Sequence, residues 1–392
     1  MSIEPGPSVP ALKSRIHGCL LGGALGDSLG YTIGTQSVEE IRRGPGVRPG
    51  TGSGPVTGAF SDETQLTLYT VDGLVEALEW ANSGVGADVN ACLWLAYLRW
   101  LAAQGEAAPA SAPTPQPRWI DGHAALRQRR NPSATCISGL ATGEMGTSAR
   151  PVNPGSKDSG TVVRSAPFGL IPHIAPDAVY KLSADAASLT HGHPAARQAA
   201  GIFSLLVHRL VSGEGLPDAA SSVTAHARAL GGVEPELPER LEAALSLATR
   251  GVVTPEELTH TLGDGRTAED ALAVALYAVL ATLPGAASGN AGEDDGGTKD
   301  GSTDSDAADG THDDGTNDGV ADTLPVRHFR EAVSLAVSHG GQGDATGSLA
   351  GNILGAFYGE ECLPADWLES LEAPEAIRGM AKMLVGVTTG ED

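Results

Sequence analysis

Three adjacent oxygen-bearing side chains are the first feature of the sequence that could carry chemistry. Ser61, Asp62 and Glu63 follow a glycine-rich segment and precede an apolar run with helical spacing. A hydroxyl and two carboxylates are the ligand types that a hard cation such as Mg²⁺ prefers. The same residues are also typical of a helix N-terminus, where serine caps the helix and acids face its positive dipole end. The motif alone therefore leaves a cation site and a plain helix cap as alternatives.

A second polar segment, residues 338–346, lies near the end of the chain. It is rich in glycine, and Asp344 is its one carboxylate. Glycine-rich turns in front of a helix can bind anions or present ligands. Aspartate and threonine are also common capping residues, so this segment taken alone is a weak indication of a site.

A third segment, residues 153–164, combines small residues with two cations, Lys157 and Arg164. Small residues let a ligand approach the backbone, and the cations could meet phosphates or pair with the acidic surface. Further along, His191 and His193 are two positions apart and precede a helix signal. That spacing is more often structural than metal-binding, because a helical metal pair is spaced by four.

The elements that must position these residues are predicted to be helices. Thr254 followed by Pro and two acids, Thr267 with an acid three residues later, and His193 followed by Pro are helix starts. Segments rich in β-branched and aromatic residues are scarce. We therefore predict an all-α fold.

Two of the predicted helices carry glycine at every fourth position. The glycines are Gly18, Gly22, Gly26 and Gly30 in the first, and Gly347, Gly351, Gly355 and Gly359 in the second. Spacing of four places each set on one helix face. Each glycine costs about 1 kcal/mol relative to alanine inside a helix. Close packing of the two helices against each other is the expected compensation.

Composition limits the classes of function. The chain has 392 residues and a net charge of −23, so binding to a nucleic-acid backbone is not expected. No apolar run is long enough to cross a membrane. Four widely spaced cysteines without a C-x-x-C pair indicate reduced, mostly buried thiols and a cytoplasmic protein.

Charge and composition also divide the chain. Residues 285–323 contain eleven acidic residues and one lysine and almost no apolar side chains, which predicts a disordered acidic insertion. We expect a flexible N-terminal tail over residues 1–15. Residues 16–284 and 324–390 then form one domain.

Taken together and in order, these segments resemble the ADP-ribosylglycohydrolase family, and its bacterial members most of all. The matching segments are GCLLGGALGDSLG, SDETQLTLYTVDGL, NPGSKDSGTVVRSAPFGL, LTHGHP and HGGQGDATGSLAGNILGAFYGEECLPADWLESLE. The resemblance covers nearly the whole chain apart from the acidic insertion and the N-terminal tail. It implies a compact all-α fold around a central cleft that holds Mg²⁺, and hydrolysis of ADP-ribose linkages at the anomeric carbon of the distal ribose. The implied partner is an ADP-ribosylated protein or a small ADP-ribose conjugate.

The resemblance also implies roles for individual residues. The catalytic residues it implies are Asp62, Glu63 and Asp344. The implied metal ligands are Ser61, Asp62, Glu63, Asp344 and Thr346. The implied substrate-binding residues are Ser156, Lys157, Asp158, Ser159, Gly160, Arg164 and His191.

Several residues depart from the family pattern. Gln342 replaces the first aspartate of an Asp-x-Asp-Ser/Thr motif, and Ala345 replaces its hydroxyl residue. One Mg²⁺ site is therefore expected, with the second weakened or lost. Two hypotheses follow: a metal-dependent hydrolase, or a weakened or inactive member that binds ADP-ribose or a related nucleotide. A purely structural role is a third. The sequence gives no oligomeric state.

Overall fold

The computed structural model describes residues 10–34, 36–43, 58–230, 235–284 and 322–390. These residues form helices and turns without a β-strand, and an isolated bridge joins Asp158 and Thr267. The predicted all-α class is therefore confirmed. Residues 285–321 of the predicted acidic insertion and residues 1–9 of the predicted tail lie outside the described residues.

The helices follow one another along the chain. The first nine are α1 (Leu12–Ile33), α2 (Val38–Arg43), α3 (Asp62–Asn82), α4 (Val89–Ala103), α5 (Ala134–Ala141), α6 (Gly160–Val163), α7 (Ala166–Gly169), α8 (Pro176–Ala187) and α9 (Pro194–Val211). The others are α10 (Leu216–Ala229), α11 (Glu236–Ala248), α12 (Pro255–Leu262), α13 (Ala268–Ala281), α14 (Leu324–Val337), α15 (Gly343–Tyr358), α16 (Ala365–Ser370) and α17 (Pro374–Thr389). Short 3₁₀ turns span Trp119–Gly122, Ala124–Arg127 and Gly359–Cys362.

The helix starts predicted from capping residues are confirmed. Thr254 accepts a hydrogen bond from the Glu257 amide at the start of α12, and Thr267 accepts one from the Asp270 amide at the start of α13. His193 caps α9 in the same way through its imidazole. These starts were predictable because each depends on residues within one helical turn.

The first helix begins earlier than the sequence indicated. Leu12 opens α1, so the tail expected over residues 1–15 extends no further than residue 11. Arg15 explains the difference, because its side chain is buried and its guanidinium donates to the Pro10 and Ala356 carbonyls. A buried guanidinium needs such partners, and the helix supplies the backbone position from which it reaches them.

The two glycine faces pack directly against each other, as predicted. A β-carbon on Gly22 would lie 2.5 Å from the Gly351 carbonyl oxygen, and one on Gly26 would lie 1.9 Å from the Gly347 carbonyl oxygen. Gly30 meets Gly343 in the same manner. We call this contact between α1 and α15 the glycine seam. The fourth glycine of the second set differs, since Gly359 has a φ of 75° and ends α15.

The remaining helices pack around this pair in a continuous apolar core. All four cysteines are buried and unpaired, as the sequence indicated. Within the described residues, every helix is too short or too polar to cross a lipid bilayer.

The glycine seam gives the first testable prediction. Gly26→Ala should lower the free energy of unfolding by about 3 kcal/mol, because the new methyl group overlaps the Gly347 backbone and forces the helices apart. Urea denaturation measures the change. Gly86→Ala is the matched control, since a β-carbon there meets no atom within 4 Å. Equal stability of the two variants would contradict the close contact.

Candidate active site

A buried aspartate connects the glycine seam to the N-terminus of α3. The carboxylate of Asp27 accepts hydrogen bonds from the Ser61 amide at 3.1 Å and from the Thr64 amide at 3.0 Å. The Thr64 hydroxyl donates to the same carboxylate at 2.5 Å. Asp27 is fully buried on α1, so α1 fixes where α3 begins.

The Ser61–Asp62–Glu63 motif caps a helix through Ser61 and lines a cleft through its two acids. The Ser61 hydroxyl accepts from the Glu63 amide at 3.1 Å and caps α3. Asp62 instead faces the cleft, where its carboxylate accepts from the Ser133 amide at 2.9 Å. Glu63 also lines the cleft, and its Oε2 atom is buried without a hydrogen-bond partner.

These residues line a cleft of about 380 Å³, which we call the acidic cleft. The segment before α15 contributes Gln342 and Asp344, so the two motifs separated by almost 280 positions do converge. The predicted site residues that line the acidic cleft are Asp62, Glu63, Asp158, Ser159, Gly160 and Asp344. The lining residues that the sequence did not indicate are Asn131, Pro132, Ser133, Ala134 and Arg266.

Burial makes ionisation of the acidic residues unfavourable. Burial, followed by repulsion from Asp344, raises the pKa of Asp27 to about 7. Burial, with repulsion from Asp27 and Asp344, raises the pKa of Asp62 to about 8. The pKa of Glu63 is raised well above its ordinary value by burial and by Asp62, and burial raises that of Asp344. The site therefore favours either protons or a bound cation.

Two predicted metal ligands are engaged elsewhere. The Thr346 hydroxyl is fully buried and lies 2.7 Å from the Ala336 carbonyl and 3.0 Å from the Gln342 carbonyl. It does not line the acidic cleft, and its implied role as a ligand stays a prediction that this hydrogen bonding does not favour. Ser61 likewise does not line the cleft, because its hydroxyl is used as the cap of α3.

The two cations of the third segment do not line the cleft either. Lys157 Nζ lies 2.6 Å from Oε1 of the buried Glu269. Arg164 is buried, with its guanidinium 4.5 Å from the centre of the Tyr97 ring and donating to Thr190 Oγ1 at 2.7 Å. Both side chains have internal partners in this structure, and for Lys157 that partner is an acid, one of the two alternatives the sequence allowed. Their implied role towards phosphates stays a prediction.

His191 holds the side chain of Asp158 in place through a hydrogen bond. Its fully buried imidazole bonds Asp158 through Nε2 and lies 2.7 Å from the Thr190 hydroxyl through Nδ1. Asp158 also accepts from the Thr135 hydroxyl, and Ser156 Oγ lies 3.2 Å from it. Burial opposes ionisation of Asp158, but the hydrogen bonds from His191 and Thr135 hold its pKa well below the usual range. Ser156 and His191 therefore position Asp158 without lining the cleft themselves.

The oxygen atoms that line the acidic cleft can be compared with the ligands that a hard cation such as Mg²⁺ requires. Among the described residues, no three Asp, Glu, His or Cys side chains come together closely enough to enclose a metal ion. The chemistry of the donors is nevertheless suitable, since Asp62, Glu63 and Asp344 share one cleft and Glu63 carries an unpartnered buried oxygen. Gln342 adds only a neutral amide. The residues fit one cation better than two.

Of the residues at or beside the site that sequence reasoning missed, three show which signals were present or lacking. Asp27 carried a usable signal, because it is the one charged residue in the otherwise apolar stretch 18–33. Asn131 has a left-handed φ of 53°, which its neighbours Arg130 and Pro132 do not indicate. Arg266 lies in the turn before α13, where no spacing pattern marks it.

The raised pKa values predict how stability depends on pH without metal. In EDTA, the free energy of unfolding should fall as the pH rises from about 4 to about 8, because Asp27 and Asp62 hold protons in the folded state that the unfolded chain releases. Asp62→Asn should reduce this fall in stability with pH, and Asp177→Asn, at an exposed position, should not. Urea denaturation at several pH values measures the free energy of unfolding. A free energy that rises between pH values of about 4 and about 8 would contradict the raised pKa values of these buried acids.

Comparisons with known proteins relate this chain to a family by its sequence and to a solved structure by its fold. The ADP-ribosylglycohydrolase family model matches residues 8–392. A solved structure described as an ADP-ribosylglycohydrolase-related protein complex is similar in fold, with a TM-score of 0.60 and 22% identity over 96% of this chain and 99% of that one. No sequence among the curated proteins matches. With the family model covering almost its entire length, this chain belongs to the ADP-ribosylglycohydrolase family.

Proposed function

We propose that this protein hydrolyses the bond between ADP-ribose and an acceptor, with one divalent cation held by Asp62, Glu63 and Asp344. The observation that carries the proposal is that the buried carboxylates of Asp62 and Glu63 and the partly buried carboxylate of Asp344 line one cleft. Mg²⁺ bound there would supply a template for the ribose hydroxyls and charge stabilisation near the anomeric carbon.

The protein side chains have distinct roles in this proposal. Asp62 is oriented by the Ser133 amide, which holds its carboxylate at the cleft wall. Glu63 Oε2 has no protein partner, and with a cation compensating the charge the Glu63 carboxylate would be ionised and could accept a proton from the attacking water through this oxygen. The new bond joins the water oxygen to the anomeric carbon, and the bond to the acceptor breaks. The acceptor leaves with the bonding electron pair and takes up the proton that Glu63 received. Asp344 stabilises the positive charge that develops on the sugar.

The proposal also names the acceptor to which ADP-ribose is linked. An ADP-ribosylated protein side chain or a small ADP-ribose conjugate suits an open cleft of about 380 Å³, since only the ribose end has to be enclosed. The buried, unpaired cysteines are compatible with a reducing cytoplasm.

Hydrolysis provides the direct test. Release of ADP-ribose from ADP-ribosylated arginine and serine peptides should require Mg²⁺ and stop in EDTA. Asp344→Asn should lower kcat by about 100-fold, because it removes a charge that faces the reacting centre. The matched control is Asp177→Asn, another first-turn aspartate, on the exposed face of α8. Full activity of Asp344→Asn would contradict the proposal.

The alternative is a weakened or inactive member that binds ADP-ribose without cleaving it, and Gln342 is the observation that favours it. This neutral side chain lines the cleft where the family pattern has an aspartate. Gln342→Asp restores the charge, and Gln342→Asn is its uncharged control of similar shape. A tenfold or greater rise in kcat for the Asp variant alone would show a decayed hydrolytic site. No rise, with ADP-ribose still bound, would favour the binding function.

A further inference from the structure

Three backbone amides of the loop formed by residues 156–160 are already bonded to acceptors within the protein. The Ser156 amide donates to the Asn153 carbonyl at 2.9 Å, and the Ser159 amide donates to the Arg266 carbonyl at 3.0 Å. The Gly160 amide lies 3.3 Å from the carboxylate of Asp158. A backbone that cradles phosphate needs unengaged amides directed at the ligand, and these three are engaged.

The charge of the same loop also opposes a phosphate. Asp158 lines the acidic cleft and is held ionised by His191 and Thr135. Lys157 is turned away to Glu269. An anionic ligand placed on this loop would meet a carboxylate with no compensating cation.

Arg266 adjoins that loop and, unlike Lys157, lines the acidic cleft. A second pocket of about 220 Å³ adjoins the acidic cleft and shares Asn131, Arg266, Gln342 and Asp344 with it. In the described part of the chain, Arg266 is the one cationic side chain that lines either of them. A ligand that extends from one pocket to the other therefore passes its guanidinium.

The Arg266 backbone is fixed while its side chain is accessible. Its amide donates to Asp264 Oδ1 at 3.2 Å, and its carbonyl accepts from the Ser159 amide at 3.0 Å. The side chain is 74% exposed, and its one ion pair is with the half-exposed Asp264 at 3.4 Å. An exposed pair of this kind is weak, so a phosphate can displace the carboxylate.

We propose that Arg266 is the residue that binds the pyrophosphate of the ligand, at the junction of the two pockets. The distal ribose then lies against Asp62, Glu63 and Asp344, and the phosphates face away from Asp158. Arginine suits this role because its planar guanidinium can donate two parallel hydrogen bonds to phosphate oxygens. The inference rests on the proposed function, since it presumes an ADP-ribose ligand.

Titration calorimetry with ADP-ribose tests the assignment. Arg266→Gln should weaken ADP-ribose binding by tenfold or more, because a charge-assisted bidentate contact is lost. Arg266→Lys should weaken ADP-ribose binding less, since lysine keeps the positive charge but cannot donate two parallel hydrogen bonds. Adenosine, which has no phosphate, should bind wild type and Arg266→Gln equally. Arg228→Gln removes the same charge from a surface pair with Glu242 and should bind ADP-ribose like wild type.

The outcomes separate this inference from the proposed function. If wild type binds ADP-ribose and Arg266→Gln binds it within twofold, the pyrophosphate site is elsewhere and the proposed function still stands. An equal loss for Arg228→Gln would show that net charge alone is responsible, which also overturns the inference. If wild type binds no ADP-ribose, both proposals fail together.

Discussion

The contact between the backbones of α1 and α15 is the constraint on which the site depends. Because Gly26 and Gly347 have no side chains, the two helices approach until backbone meets backbone. That approach buries Asp27 on α1 and brings the start of α15, with Asp344, beside it. Asp27 in turn binds the Ser61 amide and so positions the start of α3. Close packing at the seam therefore determines where the acids of two distant motifs converge.

The convergence of these acidic side chains on one cleft has an electrostatic consequence. Bringing Asp62, Glu63 and Asp344 into one partly closed cleft disfavours their charged forms, and repulsion between them adds to the effect of burial. Such an arrangement destabilises the fold unless the carboxylates hold protons or share a cation. In the proposed function, a cation bound in the cleft would relieve this cost. In the same proposal, the exposed Arg266 would supply the positive charge that an anionic substrate needs.

Sequence reasoning succeeded where the cause is local or periodic. Thr254 and Thr267 predicted helix starts because a cap acts within one turn, and glycine at every fourth position predicted the seam because the period sets the face. It could not decide the partners of Lys157 and Arg164, because Glu269 and Thr190 are distant from them in sequence. No local pattern states which of several possible partners a long cationic side chain will take, and that choice decides whether it meets a ligand.

The most direct test of this account is a crystal structure grown with Mn²⁺, which accepts the same oxygen ligands as Mg²⁺ and can be located by its anomalous scattering. The account predicts one strong peak within about 2.2 Å of carboxylate oxygens of Asp62, Glu63 and Asp344, with those side chains drawn together around it. A cleft without a peak at saturating Mn²⁺ and pH 8, or a peak bound away from these three residues, would contradict it.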